Sequence, residues 1–157
     1  MKSREEKYML LALKEAKKAY ANNDVPVGAV IVYEDKVMAK AHNQKVKKNN
    51  VLYHAEIIAI NKASKKIKSW HLDDMEMYVT LEPCAMCAGA IMQSRIKRVI
   101  YGTKDPKGGS IDSTLNMYEI KGYNHYPFVE SGVLEKECST ILKDFFKEIR
   151  YNQKLKK

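Results

Sequence analysis

His54-Ala55-Glu56-Ile57-Ile58-Ala59-Ile60 and Pro83-Cys84-Ala85-Met86-Cys87, with Cys84 standing 30 residues beyond the histidine, are the stretches on which the reading of this chain turns. Each opens a helix. The apolar patch Ile57 to Ile60 continues through Ala63 to Ile67, which predicts a helix from His54 to about Ile67 with the histidine at its start. Pro83 suits a first helical turn, and Ala85, Met86, Ala88, Ala90, Ile91 and Met92 are mostly good helix formers, so Cys84 and Cys87 share one face. Two helix N-termini aimed at one point place partial positive charge beside both thiols and favour their thiolate forms. Neutral imidazole and two thiolates are the donors Zn²⁺ prefers, and three protein ligands leave a fourth tetrahedral position for water. Zinc lowers the pKa of such a water to about 7. Glu56, two residues past His54, is about 200° further round an ideal helix and is free to address that water as a proton carrier. A lone Cys-x-x-Cys also fits a redox pair or half of a structural zinc site. No second half is evident: Cys138 falls on an apolar helical stripe, and His42, His71 and His125 lack metal-type spacing.

Working outward, the pattern alternates helices with short apolar runs. Met9, Ala12, Leu13, Ala16, Ala19 and Tyr20 follow helical spacing until Asn22-Asn23-Asp24 stops the helix before Pro26. Val27 to Tyr33 reads as a buried strand, Glu34-Asp35 as a turn and Lys36 to Ala41 as its antiparallel neighbour. Strands follow from about Met75 to Thr80 and Arg98 to Tyr101, with a short one near Pro127 to Glu130. Leu134, Cys138, Ile141, Leu142, Phe145 and Ile149 build a final amphipathic helix. The expectation is one α/β domain spanning residues 1–157, in which strands separated by helices pair in parallel through right-handed crossovers. Phe146 lies about 100° round the helix from Phe145, at the rim of the core or as a stacking platform for a base.

No run approaches 18 apolar residues, and the charged start from Met1 to Lys7 has no signal-peptide core, which predicts a soluble cytoplasmic protein without membrane association. Three cysteines, two of them committed to metal, fit a reducing compartment. The 28 basic residues against 19 acidic ones give a charge of +9, which suits a polyanionic partner. All of the basic residues except Arg4, Arg95, Arg98 and Arg150 are lysine, clustered at 45–48, 62–68 and 154–157. Such clusters serve as solvated faces as readily as binding patches.

His-x-Glu with Pro-Cys-x-x-Cys is the known signature of zinc deaminases of nucleobases. Around it, Asp24-Val25-Pro26-Val27-Gly28-Ala29-Val30, Ala41-His42-Asn43, Tyr78-Val79-Thr80-Leu81-Glu82, Ser94-Arg95-Ile96, Asp105-Pro106-Lys107-Gly108-Gly109 and Asp144-Phe145-Phe146 resemble the bacterial tRNA-specific adenosine deaminases nearly end to end. The resemblance implies a three-layer α/β/α cytidine-deaminase-like domain with a mixed five-stranded central sheet. It implies conversion of a wobble adenosine to inosine, one Zn²⁺ per subunit held by His54, Cys84 and Cys87, and Glu56 as proton shuttle. It further implies substrate contacts from Asn43, Asp105, Lys107, Phe145 and Phe146, a tRNA anticodon stem-loop as partner, and a homodimer with active sites near the interface. Asp105 is then the group that accepts a hydrogen bond from a ribose hydroxyl, a contact DNA cannot offer. Deamination of a free nucleobase or nucleoside, or metal-stabilised RNA binding without catalysis, are the alternative functions. One departure stands out: the family usually carries Pro-Thr-Ala before the histidine, whereas here Val51-Leu52-Tyr53 precedes it, and Tyr53 either packs against the protein or reshapes the pocket wall.

Overall fold

Alternate side chains of each central strand enter different layers. Ala29 and Ile31 face one side of the first strand, Val30 and Val32 the other, and all four are fully buried. Burial on both faces explains why these strands read as continuous apolar runs. The computed structural model describes residues 2–156. Its elements are α1 (Arg4–Ala21), β1 (Gly28–Tyr33), β2 (Lys36–His42), a short α2 (Lys45–Lys48), α3 (Ala55–Ile67), β3 (Glu76–Leu81), α4 (Ala85–Gln93), β4 (Arg98–Thr103), a 3-10 turn (Met117–Glu119), β5 (Phe128–Ser131) and α5 (Glu135–Leu155).

Five strands form one sheet in the order β2-β1-β3-β4-β5. Ala29, Ile31, Met77, Val79 and Val99 pack beneath α3 and α4 with Ala59, Ala63 and Ile91. On the opposite face Val30, Val32, Tyr78 and Ile100 meet Met9, Leu13 and Cys138 of α1 and α5. The layers are therefore α/β/α around a mixed sheet, as the resemblance implied.

Strand direction differs from the sequence expectation at one place. β3 is separated from β2 by α3, but it pairs antiparallel with β1. The crossover carries the chain past β1, whose first edge β2 already occupies, so β2 and β3 run the same way with a reversed strand between them. β3 with β4 and β4 with β5 are parallel as expected.

Local signals account for the helix ends. Ser3 and Glu6 form a reciprocal capping box at the start of α1. At the end of α4 the Ser94 hydroxyl donates to Ile91 O at 3.0 Å, and the Ser94 carbonyl accepts from Leu72 N at 2.8 Å. Arg95 then turns left-handed at φ 68°. The Ser-Arg-Ile element thus stops a helix. Cys138 is structural too, because it fills the space that Gly102 leaves on β4.

Close packing of α1 on β1 depends on Gly28, where a Cβ would overlap the Ala12 carbonyl oxygen and lie 2.7 Å from Ala16 N. Gly28→Ala pushes α1 off the sheet and is expected to cost about 3 kcal/mol, lowering Tm by roughly 6–12 °C. Thermal unfolding of the two proteins checks this, and a Tm within about 2 °C of the parent contradicts it.

Candidate active site

His54 is the residue immediately before α3 and Cys84 the residue immediately before α4, each with extended backbone. Neither side chain caps its own helix, so both are available to a third party at two helix N-termini. His54 Nδ1 lies 3.7 Å from Cys84 Sγ and 3.5 Å from Cys87 Sγ. The three donor atoms all fall within 4.8 Å of one another, and among the described residues they are the one group of three such side chains able to hold a metal ion. Bond lengths of about 2.0 Å to nitrogen and 2.3 Å to sulfur at tetrahedral angles require N···S separations of roughly 3.6 Å. The donor set fits such an ion in both chemistry and spacing.

Electrostatics distribute charge unevenly here. Cys84 is drawn down to about 4, chiefly because it accepts a hydrogen bond from the Cys87 thiol, with His54 adding to the effect against opposing burial. Cys87, as that donor, is pushed up. His54 is raised by its hydrogen bond with Cys84, against desolvation. A cation seated among the three would replace the shared proton and favour both sulfurs as thiolates. Glu56 occupies the first turn of α3 and is only 4% exposed. Burial pushes its carboxyl up to about 7.

Asn43, just past the end of β2, is buried, and its side-chain oxygen accepts from Ala55 N at 2.8 Å. That bond spends one acceptor site on the start of α3 and turns the amide nitrogen to other partners. Asn43, His54, Glu56, Cys84 and Asp105 line a cavity of about 170 Å³, with Lys45 at its rim. Tyr53 is half-buried and not among the lining residues, and its carbonyl accepts from Gln44 N at 2.9 Å. Of the two readings for Tyr53, packing against the protein is the one this placement supports.

Val25, Leu81 and Asp105 line both this cavity and a groove of about 910 Å³ that runs on toward α5. Lys104, Lys107, Phe146 and Arg150 border the groove. The adjacent phenylalanines part company there. Phe145 is 4% exposed and meets Tyr20 edge-on at 5.3 Å, so its ring belongs to the core and is not presented to a ligand. Phe146 is 42% exposed on the groove. Asp105 spends one carboxylate oxygen on the N–H groups of Lys107 and Gly108, at 3.1 and 3.2 Å. Among the described residues, its other oxygen makes no hydrogen bond of this kind.

Two participants escape the sequence reading. Arg150 is one helical turn beyond Phe146, and that i, i+4 spacing was its available signal. Glu82, 2% exposed, accepts hydrogen bonds from Asp105 N, Ile111 N, Asp112 N, Ser113 N and the Ser113 hydroxyl. Burial pushes its carboxyl up, but the Ser113 hydroxyl and the backbone N–H groups more than offset this and leave it below the ordinary glutamate value. Its signal was an acidic residue directly after a buried strand and directly before Pro83.

Comparison with known proteins agrees with this geometry. Residues 3–150 match the family model of the MafB19-like deaminases. A tRNA-specific adenosine deaminase of Bacillus subtilis is 43% identical over 97% of this chain and 94% of its own length. That of Rickettsia bellii is 50% identical over 88% of this chain and 97% of its own. A solved structure from a study of A-to-I editing by tRNA:A34 deaminases at the wobble position superposes with a TM-score of 0.85 at 42% identity, covering 87% of this chain and 99% of the other. Likeness of this degree, sustained along nearly the whole length of both partners and through sheet and helices alike, means that the chain belongs to the family of the tRNA-specific adenosine deaminases.

Proposed function

We propose that this protein hydrolytically deaminates adenosine to inosine at the wobble position of a tRNA anticodon. The observation that carries the reading is the continuity of the cavity with the groove. At about 170 Å³ the cavity is smaller than the roughly 300–1,000 Å³ of sites for whole small-molecule ligands. It takes a base, while the rest of the substrate lies outside along Lys104, Lys107, Phe146 and Arg150. An everted nucleotide of a single-stranded loop matches that division. The family relationship supports the same substrate.

His54, Cys84 and Cys87 are the residues that would hold one Zn²⁺ per subunit. Zinc bound there would polarise a water and make it a nucleophile at neutral pH. Glu56 takes a proton from the attacking water and passes it to the ring nitrogen beside C6, then takes the remaining proton from the hydroxyl now on C6 and delivers it to the amino group, which leaves as ammonia. A carboxyl near pKa 7 holds both forms in quantity at neutral pH, which a group that accepts and then donates requires. The Asn43 amide, anchored on Ala55 N, presents N–H donors to the base. The second oxygen of Asp105 is available to a ribose hydroxyl at the cavity mouth. Phe146 offers an aromatic face to a neighbouring base. Phe145 supports it from the core. Over the reaction one water is consumed, the C6–N bond breaks and a C6–O bond forms.

A homodimer is part of the reading. Ala88, Ile91 and Met92 pack inside the chain and so give it no support. What α4 leaves outward is Ala85, Met86, Gly89, Ala90 and, at its end, Gln93, and a Cβ at Gly89 would meet nothing within 4 Å. A face of small residues and methionine suits close helix contact with a second copy. No helix among the described residues is long and apolar enough to cross a membrane, and a tRNA substrate places the protein in the cytoplasm.

Glu56→Gln is expected to abolish deamination while keeping about one zinc per chain, whereas Cys84→Ser or Cys87→Ser loses most of the metal. Elemental analysis of the folded variants decides this, and zinc missing from Glu56→Gln would make the carboxylate a ligand. An RNA anticodon stem-loop with adenosine at the wobble position should react at least about 1,000-fold more efficiently than free adenosine or cytosine, because free nucleosides lose the binding energy of the flanking nucleotides. The DNA version should be poorer for want of a 2′-hydroxyl, and Phe146→Ala should weaken RNA turnover by about tenfold without a matching fall in Tm. Comparable rates on a free base in side-by-side assays overturn the tRNA assignment. Light scattering at micromolar concentration should return twice the 18.0 kDa chain mass, and a fully active monomer refutes the dimer.

A further inference from the structure

The loop that borders both cavity and groove seats Ile111 in the core and is tied to β4 by the Tyr101 hydroxyl, which donates to Asp112, and one buried side chain gathers its backbone. Glu82 follows β3 directly, and its backbone N–H donates to Thr103 O at 2.9 Å, tying the end of β3 to the end of β4. From there its carboxylate reaches across the loop. One oxygen accepts from Asp105 N at 3.1 Å and from the Ser113 hydroxyl. The other accepts from Ile111 N at 3.1 Å, Asp112 N at 2.8 Å and Ser113 N at 3.0 Å. The neighbouring carbonyl of Pro83 takes Ser110 N at 2.9 Å. A Cβ at Gly109 would overlap the carboxylate, so the loop closes on Glu82 only because that position is glycine. Pro106 and Lys107, the exposed tip of the loop, therefore lie between fixed points at Asp105 and at 111–113.

We propose that Glu82 is a positioning residue for RNA binding: it holds the 104–113 loop in the one arrangement in which Asp105 faces the cavity while Lys104 and Lys107 border the groove. This rests on the reading of the substrate as RNA. Glu82 also stands two residues before Cys84, so a single short segment presents a metal-binding sulfur on one side and anchors the substrate loop on the other. A register error between metal and loop displaces the base relative to its flanking nucleotides. With the latch in place, RNA meets a loop already arranged. Without it, only the fraction of molecules with the loop in place binds productively, and apparent affinity falls by that fraction while the bound complex still reacts.

Glu82→Gln tests this without changing side-chain length. An amide has one acceptor oxygen and one nitrogen that only donates, so it cannot satisfy N–H groups converging from both sides. The expected result is about tenfold faster amide exchange at Asp105, Ile111, Asp112 and Ser113 in the free protein. With it should come about a tenfold rise in KM for the anticodon stem-loop, kcat within about threefold of the parent, and unchanged zinc per chain. Ser113→Ala removes one donor and keeps the carboxylate. It should move exchange and KM the same way by about threefold, and it carries the test if the glutamine variant does not fold. Unchanged loop exchange overturns the proposal. So does a variant that loses zinc or kcat at constant KM, since Glu82 would then serve the metal side. Failure of the parent protein to deaminate the stem-loop would sink the substrate reading instead, and amide exchange would still decide whether Glu82 holds the loop.

Discussion

The direction of β1 against its neighbours is the constraint on which the site depends. β2 and β3 flank it and run opposite to it, and β4 follows β3 in parallel. The C-terminal ends of β2, β3 and β4 consequently emerge at one end of the sheet, beside the N-terminal end of β1. Asn43, the Glu82 to Cys84 segment and the 104–113 loop leave from those three ends. Val25 and Val27 approach from the fourth. A purely parallel neighbour in place of β1 would leave the chain without the tight Glu34-Asp35 hairpin, and α3 would reach the sheet by a longer path. α3 and α4, on one face of the sheet and both beginning at this end, then bring His54 and Cys84 together at their starts.

How much of this could be read from residues alone depends on how local the responsible interactions are. His54, Cys84 and Cys87 were legible because metal donors at helix starts obey short spacing rules. The elements themselves were legible from periodicity, and the ends of the strands moved by only one or two residues. Antiparallel pairing of β1 with β3 was not legible, because it depends on which sheet edge is free when β3 arrives, and no local pattern encodes that. Phe145 was expected both to continue the core stripe and to meet substrate. In the structure its ring is buried and packs edge-on against Tyr20, which is the core placement. The apolar stretch Ala88 to Met92 read equally as core or interface, since residue type is the same in either. Glu82 was quoted within a family stretch, but its part in the loop was not legible because all the partners of its carboxylate lie 23 to 31 residues downstream.

Glu56 and Glu82 show how one residue type takes two characters within a single site. Both are almost wholly buried. Glu82 receives five hydrogen-bond donors, which compensate the loss of water and keep it charged and immobile. Glu56 has only its own backbone N–H and the Cys87 thiol as hydrogen-bond donors, and burial raises it to about 7. An acid that gives and takes protons must not be too well solvated by the protein, and an acid that anchors a loop must be. The separation of labile from fixed charge comes from how many N–H groups the backbone turns toward each carboxylate.

The narrowness of the cavity has a kinetic meaning. A chamber that admits a base but excludes the sugar-phosphate chain acts as a depth gauge, since only a nucleotide swung fully out of line brings its reactive carbon to the bottom. Backbone pliancy therefore screens candidate sites before any hydrogen bond inspects the base. Adenines held in a stacked helix are rejected by the work of turning them out, at no cost to the protein, and a base in a single-stranded loop, with less stacking to break, passes the gauge more readily.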